Sequence, residues 1–137
     1  MILGVDLGER RVGVAVADPE TRFARPLEVI DASVTDPVDR IVALANELGA
    51  GLIVVGAPVT LSGHRGPAAH KQSEFLVRLA AATSVAVEQY DERFTTVVAE
   101  RSLRASGVPP ATRRRVRDAV AAQVMLQDYL DAAGRAQ

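Results

Sequence analysis

The sequence predicts an α/β protein: a mixed five-stranded sheet with helices on both faces. Three observations predict it. The chain opens with two valine-rich apolar runs, residues 2–5 and 12–17, joined by the tight segment Leu7-Gly8-Glu9-Arg10. That is the pattern of a β-hairpin, with Gly8 free to take φ > 0 in its turn. Both runs are nearly continuous in apolar residues, so both sheet faces are expected to be covered. Residues 51–57 form a short, wholly apolar run of the kind found in central parallel strands.

The remaining elements follow in order. Arg22 to Ile30 reads as a third strand, which Pro26 places at a sheet edge or a bulge. Asp36-Pro37 opens a helix, with Asp as N-cap and Pro in the first turn, and Gly49 stops it. Val38, Ile41, Val42, Leu44, Ala45 and Leu48 form its apolar stripe. After the strand at Gly51–Ala57 comes a loop, Pro58 to Gly66, and then a second helix from Pro67 to about Ala82 that buries Phe75, Leu76 and Leu79. Val85 to Tyr90 is a fifth strand, leading into Asp91-Glu92-Arg93. Thr95 or Thr96 caps a third helix running to Ser106-Gly107. Val108-Pro109-Pro110 breaks the chain before a last helix from about Ala111 to Ala133. The order β-β-β-α-β-α-β-α-α, with an antiparallel meander feeding right-handed crossovers, gives the strand order 3-2-1-4-5. It is the order of elements in an RNase H-like domain, here a single domain over residues 1–137.

Composition narrows the class further. A chain of 137 residues with 48% hydrophobic and 24% charged residues is ordinary for a folded domain. No apolar run approaches the roughly 18–20 residues of a membrane span, and no signal-peptide pattern opens the chain, so the expected place is the cytoplasm. The absence of cysteine excludes disulfides and thiolate metal sites. The net charge of −1 hides an asymmetry. Residues 101–117 carry six arginines and no acid, which leaves the remainder at −7.

In such a sheet, sites form at the carboxyl ends of the parallel strands. The first strand ends at Asp6, a carboxylate that either hydrogen-bonds the turn amides of residues 8–10 or is paired with a cation. The fifth ends at Asp91-Glu92. Asp118 stands on the last helix amid Val116, Ala119, Val120, Ala121 and Ala122, where it either pairs with Arg114 or Arg115 or faces something charged. Carboxylates without a paired His or Cys motif favour hard cations such as Mg²⁺ or Mn²⁺. Phosphodiester hydrolysis is the chemistry that needs such a cluster, with two ions roughly 4 Å apart. The basic segment before Asp118 would lead a phosphate backbone toward them.

These residues resemble the YqgF family of RNase H-like nucleases, also called RuvX and described as RuvC-like resolvases. The resemblance rests on Gly4-Val-Asp6-Leu-Gly8 with Arg11-Val-Gly13-Val-Ala15, on Ile53-Val-Val-Gly56-Ala-Pro58, on Asp91-Glu92-Arg93-Phe94-Thr95-Thr96, and on Val116 to Leu130 after the basic run. It implies a metal-dependent nuclease, associated both with maturing the 5′ end of pre-16S rRNA and with Holliday junction resolution. It places the family's acids on Asp6, Glu92 and Asp118. Strand alternation sends only one of Asp91 and Glu92 inward; Glu92 is preferred and Asp91 is the second candidate. Two features depart from the family pattern. The segment Val59 to Gly66 replaces a Leu-Asn-Met-Asp-Gly-like loop and carries His64-Arg65, and the fourth strand ends without an acid where RuvC-type relatives place one.

Arg10, His64, Arg65, Arg93, Thr95, Thr96, Arg113, Arg114, Arg115 and Arg117 are the candidate nucleic-acid contacts. Thr95 and Thr96 are also explained as caps, and part of the arginine run as a solvated helix face. Phe23, Phe75, Phe94, Tyr90 and Tyr129 sit mostly at apolar positions, so no stacking platform for single strands is expected. The substrate is pre-rRNA or branched DNA, handled by a monomer or a homodimer, and no organic cofactor is implied. Two rival readings remain. One is the phosphate-binding hairpin of sugar kinases and actin, which needs a second lobe. The other is a non-catalytic nucleic-acid or ribosome-binding module on the same fold.

Overall fold

The computed structural model describes residues 1–8, 10–57, 67–91 and 110–135. Their elements are β1 (Ile2–Leu7), β2 (Arg11–Ala17), β3 (Ala24–Asp31), α1 (Pro37–Leu48), β4 (Leu52–Ala57), α2 (Pro67–Ala82), β5 (Ala86–Asp91) and α3 (Pro110–Arg135). The helix expected over 95–107 and the 58–66 loop lie outside the described residues.

The sheet has the order β3-β2-β1-β4-β5. β1 runs antiparallel to β2 and parallel to β4, and β5 continues the parallel set. β3 forms one edge, and its register against β2 slips between Val14 and Ala15 so that Glu28 and Pro26 are their successive partners. Pro26 therefore sits beside a bulge on an edge strand, where its missing N–H costs no ladder bond.

Alternation along the strands feeds two cores. On one face Leu3, Val5, Val12, Val14, Val16 and Ile30 pack against Val38, Ile41 and Leu44 of α1 and Phe75 and Leu79 of α2. On the other, Ala15, Ala17, Ala24 and Val54 lie under Ala122, Met125, Leu126 and Leu130 of α3. The first face is built from large side chains and the second from small ones, so α3 sits close to the sheet. At Gly4 it sits so close that a Cβ there would fall 2.8 Å from the Leu126 Cβ.

α1 begins and ends as its sequence dictates. The Asp36 carboxylate accepts from the Val38 N–H at 3.0 Å, and Gly49 closes the helix with φ 62°, a conformation that costs glycine little.

Three expectations need correction. Gly8 does not use a positive φ; it is fixed by a close approach, because its N–H donates to the Arg11 carbonyl at 3.0 Å and a Cβ would lie 2.5 Å from that oxygen. The third strand begins at Ala24, not Arg22. Arg22 takes φ 60°, and Gln127 of α3 holds the segment in place: its Nε2 donates to the Arg22 carbonyl and its Oε1 accepts from the Ala24 N–H, each at 2.9 Å. That turn pushes Phe23 outward to 74% exposure, so this aromatic is not at an apolar position.

Candidate metal and nucleic-acid site

At the carboxyl edge of β1 a carboxylate interrupts the floor of the α3 face. Asp6 is half-buried there, and its cross-strand neighbours are glycines on both sides, Gly13 in β2 and Gly56 in β4. Neither neighbour brings a side chain to the carboxylate. Among the described residues Asp6 has no hydrogen-bond or ion-pair partner, and the Gly8 amide that could have served it is taken by Arg11. Removing a carboxylate from water without a partner is costly, and a cation offsets that cost. The carboxylate is an oxygen donor of the kind Mg²⁺ and Mn²⁺ prefer.

α3 runs antiparallel to the parallel strands, as two contacts show. The Tyr90 hydroxyl donates to Asp128, and one residue further along α3 the Tyr129 hydroxyl donates to Glu88, at 2.6 Å and two residues back along β5. The two rings meet edge to face with centroids 5.9 Å apart. The N-terminal half of α3 therefore reaches toward the edge that carries Asp6. Asp118 is two turns from Leu126, about 12 Å of helix at 1.5 Å per residue. Asp6 is two residues from Gly4, about 6.6 Å of strand. Residue 118 therefore lies on the Asp6 side of Leu126 along α3.

Asp91 is the last residue of β5. It pairs with Ala57, one step past the row Asp6–Gly56–Tyr90 and two strands from Asp6, about 10 Å. Arg113, Arg114, Arg115 and Arg117 occupy the first turns of α3. The side chains of Asp91, Asp118 and these arginines lie outside the described residues, as do His64, Arg65, Glu92, Arg93, Thr95 and Thr96 altogether.

The structure adds a feature at the same edge. Arg10, Arg11, Val29, Asp31 and Ser33 line an open pocket where β2 begins and β3 ends. Asp31 accepts from the Ser33 hydroxyl at 2.6 Å and from its N–H at 2.9 Å. Those bonds, helped by Arg11 and Arg10, hold its carboxyl below the usual carboxylate range. Only Arg10 of this group stood out in the sequence. The others converge through strand register, which spacing alone does not show.

The family description "RuvX: Holliday junction resolvase" matches residues 1–132. The chain belongs to the RuvX family. Among its relatives, a protein of Chloroflexus aurantiacus named "Putative pre-16S rRNA nuclease" is 46% identical over 96% of this chain and 87% of its own length. A relative of the same name from Pelotomaculum thermopropionicum is 42% identical over 98% of this chain and 88% of its own length. Among solved structures, Thermus thermophilus RuvC in complex with a Holliday junction substrate aligns with a TM-score of 0.59, at 19% identity over 97% of this chain and 94% of that one. The fowlpox virus resolvase bound to Holliday junction DNA aligns at 0.57, with 10% identity over 96% and 97%. These likenesses establish an RNase H-like fold for this RuvX-family chain. Among the described residues, no helix is long and apolar enough to cross a membrane.

Proposed function

We propose that this RuvX-family chain is a metal-dependent nuclease that hydrolyses phosphodiester bonds in maturing the 5′ end of pre-16S rRNA, acting in the cytoplasm as a single domain over residues 1–137. The observation that carries the reading is the Asp6 carboxylate, half-buried between Gly13 and Gly56 without a protein partner among the described residues. The names borne by relatives at 42–47% identity support the substrate.

In this reading Asp6, Glu92 and Asp118 hold Mg²⁺ or Mn²⁺. Such ions, when bound, supply water activation and stabilise the leaving 3′-oxygen. Glu92 is preferred over Asp91 because strand alternation sends only one of the pair inward. The arginines at 113–117 engage backbone phosphates and draw the strand toward the acids. Arg93, Thr95, Thr96, His64 and Arg65 contribute further contacts.

A second reading is favoured by the fold likeness to RuvC and the fowlpox resolvase: cleavage of branched DNA. It requires a symmetric homodimer, because two strands related by a two-fold axis are cut, whereas a monomer suffices for the RNA. The deciding experiment offers pre-16S rRNA leader and a four-way DNA junction side by side, with Mg²⁺ or Mn²⁺. Metal-dependent cutting of the RNA alone, lost in Asp6→Asn, is the expected result. Paired cuts in the junction alone would reverse the order of the two readings. No cutting of either would favour a non-catalytic binding module.

A further inference from the structure

We propose that Gln123 and Gln127 are positioning residues: by clamping the first residue of β3 they fix the angle at which α3 crosses the sheet, and with it the place of Asp118 relative to Asp6. This rests on the nuclease reading above and adds what holds the helix that carries Asp118.

Two glutamines one turn apart take both backbone groups of a single residue. The Ala24 N–H donates to Gln127 Oε1 at 2.9 Å, and the Ala24 carbonyl accepts from Gln123 Nε2 at 3.1 Å. Gln127 Nε2 also donates to the Arg22 carbonyl at 2.9 Å and to the Asp131 carboxylate at 3.2 Å. Both of those partners accept only, so they set the amide's orientation and its oxygen faces the Ala24 N–H. Ala24 is buried at the head of the edge strand β3. On the other side of α3 the Tyr90 hydroxyl donates to Asp128, and the Tyr129 hydroxyl donates to Glu88 of β5. The helix is thus tied to both edge strands of the sheet.

Apolar packing supplies less of that control. Beneath α3 the floor is Ala15, Ala17, Ala24 and Val54, small side chains that offer shallow ridges. The tight fit is Leu126 over Gly4, a point about which a helix can swing. Asp118 stands two turns from that pivot, about 12 Å, so a swing of about 10° would move its backbone about 2 Å. A misplacement of about 1 Å is enough to cost about a hundredfold in rate. The glutamine bonds oppose the swing, because a hydrogen bond near 3 Å is gone by about 3.6 Å. The bland alternative is that the glutamines only satisfy the buried peptide groups of Ala24. That role predicts lost stability alone, whereas positioning predicts lost rate and metal affinity as well.

The test uses the full-length protein and whichever substrate the parent cuts, pre-16S leader RNA or a four-way DNA junction. Gln123→Met with Gln127→Met keeps side-chain length and removes the hydrogen bonds. At saturating Mn²⁺, and at a temperature where every variant is folded by circular dichroism, kcat should fall about ten- to a hundredfold while KM stays within about twofold. By calorimetry Mn²⁺ should bind about tenfold more weakly, as when a group that orients a metal ligand is lost. Gln123→Met alone loses only the 3.1 Å bond and should show a smaller change of the same kind; it carries the test if the double variant does not fold. Ile41→Val trims a fully buried side chain on the opposite face of the sheet, and should lower the melting temperature while leaving kcat, KM and Mn²⁺ affinity as they were. Glutamine variants that lose stability with kcat and Mn²⁺ affinity unchanged, or an equal fall in Ile41→Val, would overturn the positioning role while leaving the nuclease reading intact. A parent that binds no Mn²⁺ and cuts neither substrate would remove that reading and this one with it.

Discussion

Gly4→Ala is the substitution that most directly tests how α3 is set against the sheet. The added Cβ would lie 2.8 Å from Leu126 Cβ, 3.2 Å from its Cδ2 and 3.3 Å from its Cγ. The first is not the far end of a flexible side chain. Leu126 is fully buried, so it cannot swing away into solvent. Either the rotamer or the helix must move. Overpacking of this kind costs about 1–3 kcal/mol, and the lower chain entropy of unfolded alanine returns about 0.4–1 kcal/mol. The net expectation is a loss of about 1–2 kcal/mol, or roughly 3–8 °C in melting temperature for a domain of this length. The specific signature is coupling. Leu126→Ala alone should cost about 3–5 kcal/mol as a cavity, and distinctly less in the Gly4→Ala background, where the new methyl occupies part of that cavity. Thermal and urea unfolding of the two single variants and the double variant supplies the cycle. A Gly4→Ala protein as stable as its parent, or strictly additive effects, would refute the close approach.

Two further outcomes can be checked on the same protein. The Tyr129 phenol is pushed up to about 12 by its bond to Glu88, by burial and by that carboxylate's charge, against an ordinary value of 10.0. A raised folded-state value means its contribution to stability is fully present below about pH 10 and is lost as pH rises toward 12; unfolding curves across that window should show a fall that Tyr129→Phe lacks. Gln127→Ala removes the acceptor of the buried Ala24 N–H and the donor to the Arg22 carbonyl, and should cost about 1–3 kcal/mol with faster hydrogen exchange at Ala24; unchanged exchange there would mean the turn holds itself.

Local chemistry made much of the fold legible. Asp36-Pro37 and Gly49 mark helix ends because capping is a property of a few consecutive residues, and the valine runs mark strands because alternation is local too. Pro26 marked its bulge for the same reason. The errors lie where a distant residue decides. Gly8 is needed for its approach to Arg11 and not for its φ, a distinction no spacing reveals. Arg22 and Phe23 read as strand, but a glutamine over a hundred residues away captures the neighbouring backbone and turns Phe23 outward. Asp6 could be singled out as a charge at the end of a buried strand, while its two glycine neighbours emerge only from register. The Arg11–Asp31 pairing was hidden for the same reason.

The central claim is that Asp6 holds a divalent cation. Titration calorimetry with Mn²⁺ on the parent and on Asp6→Asn tests it without any substrate. The account predicts saturable binding by the parent that is lost or much weakened in the variant, with the fold intact by circular dichroism. Equal Mn²⁺ affinity in the two proteins would contradict it.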